Sequence, residues 1–196
     1  MTWWQILLLI AGIALVLAGV VATLKARSLD RIHKNVTKSR IALERALVER
    51  AQATLEVSRS GVLDVASAVV LADIAKEALE VSAHPIVNDG WESITIEDSE
   101  GNLLSGTAGD RPDRQLIESE LSRSLRHSVD ELDSDTPELS RLHAARTAVQ
   151  MTRRFHNNHV SQAKRVRRSA LIRTMRLHGH APEPLMVNLD DRKTDG

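Results

Sequence analysis

Residues 2–24 read TWWQILLLIAGIALVLAGVVATL, and residues 25–60 continue as KARSLDRIHKNVTKSRIALERALVERAQATLEVSRS. No Lys, Arg, Asp or Glu precedes Lys25. About 22 helical residues at 1.5 Å each span roughly 33 Å, enough to cross a hydrocarbon core of about 30 Å. A cleaved secretory signal needs a basic start, a shorter apolar run and a small-residue cleavage site, and this stretch offers none of them. Residues 1–24 are therefore expected to form a transmembrane anchor. Trp3 and Trp4 fit an aromatic belt at one interface, and Lys25, Arg27, Arg31 and Lys34 crowd the other. The charge bias places the N-terminus outside and about 170 residues in the cytoplasm, a single-pass protein of the cell membrane.

Past the anchor, neither Pro nor Gly interrupts residues 25–60, and Leu29, Ile32, Val36, Leu43, Leu47 and Val57 step mostly by three and four. That period predicts an amphipathic helix over 25–59, continuous with the span. Ser60-Gly61 breaks it, and an Ala- and Val-rich helix over 62–83 follows, suited to close packing between other helices. Residues 85–112 hold Asn-Asp-Gly, Glu-Gly-Asn and two further Gly. They read equally as a small β-hairpin or as a disordered acidic loop. A helix over 112–130 follows, carried by Leu116, Ile117, Leu121 and Leu125. Asp135 or Thr136 is placed to cap a long helix over 137–178, with Pro137 and Glu138 in its first turn and Gly179 at its end. Residues 181–196 read as a polar tail. The fold class is all-α: an N-terminal transmembrane helix, then a cytoplasmic antiparallel bundle of about four helices, two of them long, over residues 25–180.

Composition narrows the functions. The chain has no Cys, which excludes disulfides, thiolate-held metals and thiol catalysis. With three Trp, one Phe and no Tyr, stacking platforms for bases are nearly excluded. The formal net charge is zero, unlike that of a uniformly basic nucleic-acid binder. Neutrality is nonetheless a cancellation: residues 25–60 carry +5, residues 61–140 carry −13 and residues 141–196 carry +8. The pattern predicts a polarised bundle with a basic pole toward lipid and an acidic pole toward a partner.

The densest polar stretch is Arg153, Arg154, Phe155, His156, Asn157, Asn158 and His159, midway along the last helix. His156 and His159 are three apart, as in metal sites of helical bundles, but neither a third ligand nor a His-Glu-x-x-His pattern accompanies them. The favoured reading is a buried polar network in which Arg153, Arg154, His156, Asn157, Asn158 and His159 bond to facing helices. Glu118 and Glu120, beside Arg114 and Arg123, read as solvated helix charges. No phosphate loop, nucleophile elbow or dinucleotide fingerprint is present, so no catalytic residue and no cofactor is expected. Lys164, Arg165, Arg167 and Arg168, followed by Arg173 and Arg176, form the strongest electrostatic feature. In an up-down-up-down bundle they return to the membrane beside Lys25, Arg27 and Arg31. Contact with anionic lipid of the inner leaflet is then favoured over contact with nucleic-acid phosphates.

The layout resembles the LemA family of bacterial membrane proteins. The resemblance is carried by LDRIHKNVTKSRIALERALVERA in the first helix and ARTAVQMTRRFHNNHV in the last. Asn157 and Val160 match the Asn and Val of the family's Tyr-Asn-Asp-Ala-Val-like signature, whereas Asn158 and His159 depart from it. VERAQATLEVSRSGVLD stands where the family has Arg-Tyr-Asp-Leu-Ile-Pro-Asn-Leu-Val. The resemblance implies membrane anchoring and helical architecture and carries over no catalytic residue. The leading expectation is a non-enzymatic scaffold or interaction module with a protein partner or a second copy of itself. A membrane-tethered nucleic-acid binder and a metal-dependent hydrolase are the alternatives.

Overall fold

The computed structural model describes residues 2–87, 89, 113–130, 132, 136–168 and 183–191. The fold is an all-α bundle with an apolar N-terminal helix. Helix α1 runs unbroken over Trp3–Arg59, 57 residues and about 86 Å. It ends where Gly61 adopts φ 78°, the left-handed conformation that glycine takes without steric cost. Asp64 then caps α2, Val65–Glu80, its Oδ1 accepting the Ala66 and Ser67 amides at 3.0 Å. A 3₁₀ turn, Val81–Ala83, closes that helix. Asp113 caps α3, Arg114–Val129, in the same way. Thr136, not Asp135, caps α4, Pro137–Arg167, with Pro137 in the first turn and Lys164, Arg165 and Arg167 in the last. The stretch 169–178, into which the sequence extends this helix, lies outside the described residues, as do residues 91–112, where a hairpin or loop is expected.

Successive helices run antiparallel. Val36 shares a cluster with Val160, Ser39 meets His156, and Glu49 and Glu56 meet Arg141, so α1 and α4 pair along their lengths in opposite directions. Three layers of core follow from this register. Next to the apolar span, Val36, Val160 and Ala163 pack with Ile32 in a stem made, among the described residues, of α1 and α4. In the middle, Leu43, Ala46, Leu47 and Val149 pack against Ile86, Val87, Val187 and Leu189. Farthest out, all four helices meet around Leu71, Leu121, Leu125, Leu139 and Leu142. Ala51, Ala53, Ala75, Ala78 and Ala145 in this last layer let the helix backbones approach closely.

Helix α2 packs between α1 and α3, as its Ala- and Val-rich sequence suggests, burying Leu71, Ala75 and Ala78 while its Val65, Val69 and Val70 face is exposed. One expectation is corrected. Residues 183–191, part of the expected polar tail, pack into the middle layer, with Val187, Leu189 and Asp191 buried.

At the other end, Trp3–Val21 is long and apolar enough to cross a membrane by length and composition, with none of it buried in the bundle. Leu15 there is exposed at 77%.

Candidate functional site

The polar stretch of α4 does not form one network. An α-helix turns its side chains by about 100° per residue, so consecutive residues meet different neighbours. His156 points inward, fully buried, its Nδ1 lying 3.1 Å from Ser39 Oγ of α1. The Ser39 hydroxyl also bonds to the Val36 carbonyl at 2.8 Å, so the serine links the buried imidazole to the α1 backbone. Burial, with Arg40 close by, holds His156 below the ordinary histidine range, against a weaker pull from the Leu185 backbone and Asp89. His159, one turn on, lines a shallow groove of about 350 Å³ with Asn35, Lys38, Thr152 and the largely exposed Phe155. Among the described residues no group of three or more His, Asp or Glu comes together to hold a metal ion.

Asn157 and Arg153 turn instead to residues 183–191. The Asn157 amide grips Val187 twice, Nδ2 donating to its carbonyl and Oδ1 accepting its N–H, both at 2.9 Å. Arg153 forks onto the Asp191 carboxylate at 2.8 and 2.6 Å, the two-point geometry that suits guanidinium to carboxylate. Arg154 and Asn158 are exposed. The stretch therefore bonds mainly to a segment from the far end of the chain rather than to facing helices.

That segment runs antiparallel to α4 as a strap across the bundle. Its successive polar contacts come from α4, Asp89 and α3. Lys164 lies 3.4 Å from Glu183, and Asp89 accepts the Leu185 N–H at 3.0 Å while pairing with Arg40 at 2.8 Å. Gln115 accepts the Asn188 N–H at 3.0 Å, Arg126 donates to the Asp190 carbonyl at 2.7 Å, and Gln150 donates to the Asp191 carbonyl at 2.6 Å.

Beneath Asp191 lies a buried polar layer that the sequence reading missed. Arg50 of α1, 1% exposed, donates to Glu118 Oε2 of α3 at 2.6 Å and to Ser122 Oγ at 2.6 Å. Arg114 lies 3.7 Å from Glu118 and bonds to the His84 carbonyl. Arg146 of α4 reaches Asp130 at 2.5 Å. Glu118 and Arg114, read above as solvated charges, are thus core residues. Their positions gave a signal: Glu118 lies one residue from Ile117 and three from Leu121, and Arg50 lies three from Leu47, on faces that are otherwise apolar.

The basic residues gather at the end of the stem next to the apolar span. The α1–α4 register brings Arg165, Arg167 and Arg168 to the level of Arg27 and Arg31. Arg27, Arg31, Arg165 and Arg168 are exposed. Lys164 is half-buried against Glu183. Arg173, Arg176 and the side chain of Lys25 lie outside the described residues. No family model, curated protein or solved structure matches the chain.

Proposed function

We propose that the chain is a single-pass, non-enzymatic membrane protein, anchored through the start of α1, whose bundle serves as a scaffold or interaction module at the cytoplasmic face of the cell membrane. One observation carries this reading: a single helix is exposed and apolar over Trp3–Val21 and buries a stripe in the bundle from Val36 onward, with Lys25, Arg27, Arg31 and Lys34 between the two. Water does not tolerate the first part as a free surface; hydrocarbon does.

The basic collar supports the orientation. Arg27 and Arg31 lie about 5 and 10 Å past Leu24, within roughly one Debye length of a headgroup surface. Each cation there contributes on the order of 1 kcal/mol with anionic lipid. The exposed Val65, Val69 and Val70 face, far from that collar, supports a protein partner or a second copy at the distal end. Buried charges in the bundle are engaged in pairs that tie helix to helix, such as Arg50 with Glu118 and Arg146 with Asp130, which favours a structural role for them. The resemblance to the LemA family points the same way.

Reconstitution into vesicles tests the collar. Replacing Arg27, Arg31, Arg165 and Arg168 by Gln should leave membrane insertion intact and abolish the preference for phosphatidylserine-containing over neutral vesicles. Loss of duplex DNA binding on the same substitutions, with lipid preference unchanged, would instead favour a membrane-tethered nucleic-acid binder.

A further inference from the structure

We propose that the groove holding residues 183–191 is a peptide-recognition site, occupied in cis by the chain's own strap, whose trans ligand is an extended partner segment with branched apolar residues at two alternate positions and an acid two residues later. The inference rests on the interaction-module part of the reading above and is independent of the membrane part.

The groove recognises main chain. Side chains from the bundle bond to the Leu185 and Asn188 N–H groups, to both backbone groups of Val187, and to the Asp190 and Asp191 carbonyls. Main-chain bonds supply affinity for an extended segment, and pockets for alternate side chains supply specificity. The strap follows that pattern: Val187, Leu189 and Asp191 are buried, while the alternating Met186, Asn188 and Asp190 are exposed. The apolar pocket is built by Leu43, Leu47, Ile86, Val87 and Val149. At its end Arg153 and Gln150 hold Asp191, over a polar void of about 10 Å³ that Arg50, Ser122 and Arg146 also line. Guanidinium groups of Arg50, Arg146 and Arg153 thus converge where the ligand's acid sits, which favours an acid there over a neutral or basic residue.

The connection permits exchange. Lys164 near the end of α4 already touches Glu183, so residues 169–182 join two points that lie close together. Fourteen residues reach about 46 Å when extended, far more than this closure requires. A connection of that length keeps a displaced strap close to the groove, so its rebinding in cis competes with any ligand in trans. The intact groove is therefore closed to weak ligands and opens only to a competitor or when the strap is disabled.

The test uses the full chain in detergent micelles and a fluorescent peptide, EPLMVNLDD, copied from residues 183–191. The strap variant Val187→Asp/Leu189→Asp should bind the peptide at least tenfold more tightly than the intact chain, since its site is no longer occupied. Adding Asn157→Ala to that variant should weaken binding at least tenfold, as should a peptide with Ala in place of the residue copied from Asp191. Equal binding by intact and strap-variant chains, no binding to a strap variant whose circular dichroism is unchanged, or equal binding of a scrambled peptide would each overturn the proposal. Loss of the helical bundle in the strap variant would make the segment a fixed part of the core and overturn it as well. So would dimers of the intact chain that dissolve on the strap substitutions, which would assign the groove to a second copy. Vesicle association of the same variants is read separately, so failure of the groove and failure of the anchor are distinguishable.

Discussion

Arg50 and Glu118, sixty-eight residues apart in sequence, meet at 2.6 Å with both side chains almost wholly buried. Burial pulls the Arg50 guanidinium below its ordinary value, and the Glu118 carboxylate pulls it back up. Two charges taken out of water gain little over an apolar pair, but one left alone costs heavily. Glu118→Ala should therefore destabilise the bundle by about 3–5 kcal/mol, whereas Arg50→Met/Glu118→Leu together should recover most of that loss. Urea denaturation of the single and double variants checks it. Arg141, exposed between Glu49 and Glu56, is the contrast: its replacement by Ala should barely move the midpoint.

The Asn157 amide holds the strap through both backbone groups of Val187. Asn157→Ala removes both bonds and leaves the helices their own contacts. Hydrogen exchange should accelerate at the Val187 amide and its strap neighbours, with the amides around Leu121 and Leu142 unaffected. Uniform acceleration across the bundle would contradict the strap's description as a separable element.

His156 makes stability depend on pH. Its folded value lies below that of the unfolded chain, about 6.5, so as pH falls the unfolded state takes up the proton first. Stability is present above about pH 6.5 and is lost as pH falls from there through the lower folded value. Denaturation midpoints at pH 7.5 and 5.5 should differ for the native chain, and the difference should shrink in His156→Gln.

Gly61 sits at φ 78° with open space where a Cβ would go. Gly61→Ala therefore meets no clash, and its cost is the backbone's alone, about 1–2 kcal/mol. A thermal-unfolding series with Gly61→Asn, which tolerates the left-handed region better, should rank Gly above Asn above Ala.

What could be read in advance was local. The Ser60-Gly61 stop and the Thr136-Pro137 start are written in adjacent residues, and the stripe Val36, Leu43, Leu47 and Val57 marks the buried face of α1 directly. The strap was missed because the partners that order it lie far away in sequence: Asn157 is thirty residues from Val187, and Gln115 is seventy-three from Asn188. Its one local signal was the alternation of Val187, Leu189 and Asp191, hidden in a polar stretch. Arg50 and Glu118 were missed for a related reason. A charged residue on an apolar face reads as a boundary until its opposite is brought to the same depth.

The central claim is that α1 anchors the bundle on the inner side of the membrane, and the absence of Cys gives it a clean test. Ser105→Cys, in the stretch between α2 and α3, and Thr2→Cys, at the start of α1, are treated with a membrane-impermeant maleimide in intact cells and after lysis. The account predicts that the chain stays with the membrane fraction through a carbonate wash, that position 2 labels in intact cells, and that position 105 labels only after lysis. Labelling of position 105 before lysis, or release of the chain into the soluble fraction, would contradict it.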